Sequence, residues 1–172
     1  PLKQPSRFIR LIGLTIMQRK LIIDFESFPN RSLHWQGKHE QEIIEIEEEG
    51  YILCMGYKFI GDKKAKIIGL PDVGWNKKKL AEKIHDIISQ ADVVIAHNGN
   101  NFDFKWANRT FIVHGLKPPK PYKTFDTLSI ARSKFNFNSN SLKDLAQLLG
   151  LRPKMETGGF ALWKGYEAKN KK

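Results

Sequence analysis

A pair of acids sits inside the most apolar stretch of this chain. In Lys20-Leu21-Ile22-Ile23-Asp24-Phe25-Glu26 two carboxylates stand two residues apart, in a run that otherwise reads as a central β-strand. Strand side chains alternate between faces, so Asp24 and Glu26 project from the same face, together with Ile22. Two like charges side by side in such a strand are costly, because burial and mutual repulsion both oppose ionisation. An oxygen-ligated divalent cation, Mg²⁺ or Mn²⁺, is the natural compensation. The plainer alternative is that one carboxylate ends the strand while the other lies in solvent beside Ser27.

A second element strengthens the first reading. His97-Asn98-Gly99-Asn100-Asn101-Phe102-Asp103 follows the compact apolar strand Val93 to Ala96 and opens a helix. Sites in open α/β sheets are assembled at the carboxyl ends of strands. Asp103 at that position can bring a third carboxylate to Asp24 and Glu26, or serve simply as a helix N-cap. Asn98 and Asn101 are equally suited to forming the turn, and His97 to a structural hydrogen bond.

The rest of the chain alternates in the same way. Strands are expected at Tyr51 to Ile60, Ala65 to Leu70 and Tyr122 to Phe125. Helices are expected around Leu80 to Ala91 with Asn76 or Asp72 as cap, and over Phe102 to His114, Ser129 to Phe135 and Leu142 to Leu149. Three strands on short turns, followed by helix–strand–helix–strand–helix, predict an α/β domain. Its sheet is mixed and five-stranded, three antiparallel strands and then parallel ones, with helices on both faces.

Charge and cysteine usage narrow the partners. The net charge is +11, and six of the 18 acids are gathered at Glu40, Glu42, Glu45, Glu47, Glu48 and Glu49. The remaining surface is therefore strongly basic, and nucleic acid is the expected partner. The acidic strip reads as a solvated loop. No apolar run approaches the roughly 20 residues a membrane span needs, and the single Cys54 excludes a disulfide framework and suits a reducing cytoplasm. Residues 1–16 contain no acid and precede Met17, so they read as a leader or appended segment ahead of a domain over 17–172.

These motifs resemble a known family. Ile23-Asp24-Phe25-Glu26, then His97-Asn98 with Phe102-Asp103, is similar to the first two motifs of the DEDD (DnaQ-like) 3′–5′ exonucleases, which have the ribonuclease H-like fold. Phe125-Asp126-Thr127-Leu128 and Asn140-Ser141-Leu142-Lys143-Asp144-Leu145, with Leu148-Leu149-Gly150, resemble the segment that follows in ribonuclease D-like members. Gly159 to Gly165 is similar to predicted exonucleases of phages and prophages, so the resemblance runs over about residues 18–165. It implies a two-metal phosphodiesterase acting on single-stranded 3′ ends of DNA or RNA. Asp24, Glu26 and Asp103 would hold Mg²⁺ or Mn²⁺, and Asn98, Phe102 and His97 would lie near the terminal nucleotide. Phe102, Phe104 and Trp106 are candidates for stacking on a base, though helical spacing assigns Trp106 and Phe111 to the core. Asp126 is expected to cap a helix or support the site.

One part of the pattern is missing. The family carries a fourth carboxylate in Tyr-x-x-x-Asp or His-x-x-x-x-Asp on a late helix, and here Tyr166 is followed four residues on by the neutral Asn170. The expectation is a C-terminally incomplete domain with an impaired site: a truncated exonuclease, one part of a split enzyme whose last motif is carried by a complementing chain or C-terminal region, or a naturally incomplete relative. The rival is a non-catalytic nucleic-acid-binding or interaction module with the same fold.

Overall fold

The computed structural model describes residues 18–35, 42–152 and 165. In chain order its elements are β1 (Lys20–Phe28), β2 (Arg31–His34), β3 (Ile43–Glu48), β4 (Tyr51–Phe59), β5 (Lys66–Gly69), α1 (Lys77–Ile88), β6 (Val93–Ala96), α2 (Asp103–Val113), β7 (Lys123–Asp126), α3 (Thr127–Lys134) and α4 (Leu142–Leu148). A short 3₁₀ turn at Leu70–Val73 leads into α1.

Five strands form one sheet in the order β5-β4-β1-β6-β7. β4 pairs antiparallel with both β1 and β5, whereas β6 runs parallel to β1 and to β7. This is the expected ribonuclease H-like mixed sheet. The parity of β1 explains its place at the centre. Leu21, Ile23 and Phe25 are buried, and they meet Leu80, Ile84 and Ile88 of α1 and Phe104, Ala107 and Phe111 of α2 in one core. Ile22, Asp24 and Glu26 occupy the other face. The register places Ile67 and Phe125 on that face as well, and both are exposed, at 74% and 43%.

Local chemistry sets the element ends. Asn76, rather than Asp72, caps α1 by accepting the Lys79 N–H at 2.9 Å, while Asp72 accepts the Gly69 N–H within the 3₁₀ turn. Ser141 caps α4. The β1–β4 register shifts between Glu26 and Ser27, where the partner jumps from Cys54 to Ile52, and such bulges re-aim the side chains beside them.

The acidic strip is not simply a solvated loop. Residues 43–48 form the second strand of a hairpin with β2, and its end is tied down by ion pairs from Lys77 to Glu48 at 2.9 Å and from Arg109 to Glu49. Gly50 completes the anchor, donating its N–H to Asn30 Oδ1 and accepting from Arg109 through its carbonyl. Residues 1–16, Tyr166, Asn170 and most of 159–165 lie outside the described residues. No helix among the described residues is long and apolar enough to cross a membrane.

The turn from β6 into α2 depends on a glycine. A Cβ at Gly99 would lie 2.7 Å from the Ala96 Cβ and 2.8 Å from the Phe104 ring. Gly99→Ala should therefore cost about 1–3 kcal/mol through overpacking. Urea unfolding is expected to show a lower midpoint at unchanged slope, and an unchanged midpoint would refute this packing account.

Candidate active site

The site is built where β6 stops. Its parallel pairing with β1 covers only Lys20–Ile22, and past Ala96 the chain turns away through residues 97–102. Beyond Ile22 the β6-facing edge of β1 is thus left without a strand. Asp103, the first residue of α2, fills that place: its Oδ1 accepts the Phe25 N–H at 2.9 Å across 78 positions of sequence. Phe25 lies between Asp24 and Glu26, so this bond brings the third carboxylate to the segment of β1 that carries the other two. Asp103 is only 2% exposed.

Burial pushes the Asp103 carboxyl up to about 6 from 3.8, overriding the Phe25 hydrogen bond that favours its charged form, and the negative charges of Asp24 and Asp126 push the same way. The Cys54 thiol, opposite Glu26 in the β1–β4 register, is raised first by burial and then by Glu26 and Asp24. Negative charge is therefore concentrated at one end of β1. Among the described residues, however, no group of three or more His, Cys, Asp or Glu side chains is placed so that it could hold a metal ion.

Asp126 governs the turn that leads to Asp103. Buried at the end of β7, it accepts N–H groups from Asn98 and Asn100 at 2.9 and 3.0 Å and from Leu128 and Ser129 at 2.9 and 3.4 Å. Burial opposes its ionisation, but the four donors outweigh burial and hold its pKa below the ordinary value. One carboxylate thus caps α3 and clamps the β6–α2 turn, a wider role than helix capping alone. The clamp fixes Asn98 in the left-handed region at φ 68°, which Asn tolerates better than most residues. Asn98 closes the turn further through its Oδ1, which accepts from Asn101 Nδ2 at 3.0 Å.

The other candidate residues divide between framework and surface. Both ring nitrogens of His97 have protein partners, Nδ1 with Thr127 Oγ1 at 2.9 Å and Nε2 with the Asn140 carbonyl at 3.1 Å, so the ring braces three segments. Phe102 is 36% exposed beside Asp103, edge-on to Trp106 at 6.2 Å. Phe104 and Phe111 are core residues, and Phe104 is therefore withdrawn as a stacking surface. Trp106 packs against the same core and lies under the Arg109 guanidinium.

A family profile described as RNase_H superfamily matches residues 40–171. The chain belongs to the RNase H superfamily. Within that superfamily it is similar to the PolC-type DNA polymerase III of Thermotoga maritima, 31% identical over 114 residues, and to that of Thermotoga petrophila, 30% identical over 114 residues. Each match covers 63% of this chain but 8% of the relative, so the chain corresponds to less than a tenth of those polymerases. The family B DNA polymerase of the hyperthermophilic archaeon Pyrobaculum calidifontis shares the fold. It superposes with a TM-score of 0.57 at 12% identity, over 79% of this chain and 19% of that one.

The raised Asp103 pKa has a thermodynamic consequence. Its folded value lies above its unfolded one, so the folded state binds more protons between about pH 4 and 6, and stability falls as pH rises through that window. Above it the ionised, buried Asp103 costs on the order of 2–3 kcal/mol. Asp103→Asn keeps the Oδ1 acceptor for Phe25 and removes the charge. In EDTA at pH 8 the variant should melt several degrees higher than the parent, at about 2–4 °C per kcal/mol. It should also lose the decline between pH 4 and 6. A lower Tm across the whole range would contradict this electrostatic reading.

Proposed function

We propose that this chain is a metal-dependent nuclease that hydrolyses phosphodiester bonds stepwise from a single-stranded 3′ end. The observation that carries the reading is the bond from the Phe25 N–H to Asp103, which ties that acid to the amide lying between Asp24 and Glu26 in sequence. Membership of the RNase H superfamily and similarity to PolC-type DNA polymerase III support a nuclease, and the net charge of +11 supports a nucleic-acid substrate.

The donor set is all hard oxygen, which suits Mg²⁺ or Mn²⁺. Asp24, Glu26 and Asp103 would hold the ions. Bound ions would supply a hydroxide nucleophile at neutral pH and stabilise the leaving oxygen. The protein's own contribution is positional. Asp126 and Gly99 fix the turn that delivers Asp103, and the bulge after Glu26 sets the end of β1. The exposed Phe102 ring offers a surface for the terminal base beside those acids.

The test is degradation of a 5′-labelled single-stranded oligonucleotide with Mg²⁺ or Mn²⁺. Slow stepwise shortening from the 3′ end is expected, in keeping with an impaired site, lost in EDTA and reduced about a hundredfold or more by Asp24→Ala. Internal cuts would make it an endonuclease, and activity indifferent to Asp24 would end the reading. That no group of three acids among the described residues could hold a metal ion favours a second reading, a binding module without catalysis. Calorimetry with Mn²⁺ separates the two: heat of binding abolished by Asp24→Ala supports the nuclease, and no binding at millimolar Mn²⁺ supports the module.

A further inference from the structure

Between α3 and α4 lies Phe135-Asn136-Phe137-Asn138-Ser139-Asn140. Its two phenylalanine rings stack with centroids 5.1 Å apart and planes 17° apart, and Phe135 is 56% exposed. Large aromatic rings are ordinarily spent on a core. Here a flat aromatic face is presented to solvent, on a chain that elsewhere buries Phe25, Phe28, Phe104 and Phe111. Phe137, but not Phe135, also lines a cavity of about 330 Å³, together with Asn136, Asn138, Ser139, Asp144 and Leu148. That volume is at the small end of ligand sites.

The segment is braced rather than loose. Ser139 and Ser141 hydroxyls donate to Asp144 Oδ2 at 2.5 and 2.6 Å, and Ser141 Oγ accepts the Asp144 N–H at 3.1 Å. These bonds fasten the segment to the first turn of α4, which lowers the entropy a ligand must overcome on binding. At the same end the Asn140 carbonyl meets His97 Nε2 at 3.1 Å, joining the segment to the turn that delivers Asp103. Arg132 and Lys134 occupy the last turn of α3, immediately before the phenylalanines.

We propose that Phe135 and Phe137 form a base-stacking platform for single-stranded nucleic acid, a contact separate from the Asp24–Glu26–Asp103 site and coupled to it through His97. Arg132 and Lys134 attract the sugar–phosphate backbone. Asn136 and Asn138 carry amide groups that both donate and accept hydrogen bonds, as base edges require. The Asp144 carboxylate repels phosphate and accepts from base N–H groups, so the base lies toward the cavity and the backbone toward Arg132 and Lys134. An apolar peptide would not need two basic residues and two amides around so small an aromatic face, in a chain of net charge +11. The proposal rests on the nucleic-acid reading above and extends it to a second contact.

The test is binding of a fluorescein-labelled oligothymidylate and its RNA counterpart in EDTA, followed by anisotropy, so that no hydrolysis intervenes. Phe135→Leu with Phe137→Leu keeps apolar volume but removes both π faces. Stacking by one base is worth enough that this variant should bind about tenfold more weakly or worse, with Phe135→Tyr and Phe137→Tyr restoring affinity. Equal thermal melting of parent and leucine variant shows that the fold is intact; should the leucine pair unfold, the tyrosine pair with Arg132→Gln and Lys134→Gln added gives the same comparison through the backbone contact. Affinity unchanged in either comparison overturns the platform. Asp24→Ala keeps the two readings apart. If the leucine pair binds normally while Asp24→Ala abolishes cleavage, the platform falls and the nuclease stands. Weakened binding together with cleavage indifferent to Asp24 leaves the platform standing without the nuclease.

Discussion

One hydrogen bond, from the Phe25 N–H to Asp103, determines how this molecule places charge. It exists because β6 is only four residues long and leaves β1 with an unpaired edge past Ile22. A buried backbone donor left alone costs about 1–3 kcal/mol, so some acceptor must reach it. A carboxylate meets that need at the expense of burying a charge, and the raised pKa of Asp103 shows which effect is larger: burial outweighs the hydrogen bond. The fold thus keeps an acid under electrostatic strain beside Asp24. A cation is the simplest group that relieves it.

Asp126 is the counterpart of Asp103 with the balance reversed. Both are buried aspartates, yet Asp126, the last residue of β7, has four N–H donors that hold its pKa low, whereas Asp103, the first residue of α2, has the Phe25 donor, deeper burial and the negative charges of Asp24 and Asp126 against it. The difference separates their roles. Asp126 is satisfied within the protein and acts as a clamp on the Asn98–Asn100 turn, while Asp103 anchors the start of α2 to the Phe25 amide. His97, with both nitrogens engaged, belongs with the clamp. On the far side of α2 the ion pairs of Lys77 and Arg109 with Glu48 and Glu49 are partly exposed. Such pairs are worth little individually, and their effect is to orient the hairpin rather than to stabilise the domain.

What could be read from the sequence follows from the range of each interaction. The strand at Lys20 to Glu26, the helix around Leu80 to Ala91 and the buried strand Val93 to Ala96 are fixed by local periodicity, so their positions were legible, and so was a mixed five-stranded sheet, though not the order of its strands. The β2–β3 hairpin was not. Ile43, Ile44 and Ile46 are interleaved with Glu45, Glu47 and Glu48, and the density of charge hides a strand that is held by Lys77 and Arg109 from distant helices. The juxtaposition of Asp103 with Asp24 was visible as motif spacing. That its anchor is the amide between Asp24 and Glu26, and that His97 faces Thr127 and Asn140, depends on partners 78, 30 and 43 positions away, and no local pattern carries that information. The withdrawal of Phe104 into the core is of the same kind: it follows from the closeness of Gly99, whose missing Cβ lets the ring in.

The central claim is that Asp24, Glu26 and Asp103 hold divalent ions. Crystals grown with Mn²⁺ and measured near the manganese absorption edge test it most directly, because anomalous scattering marks the metal alone. The account predicts anomalous peaks bonded to carboxylate oxygens of Asp24 and Asp103. Peaks confined to other sites, or none at saturating Mn²⁺, would contradict it.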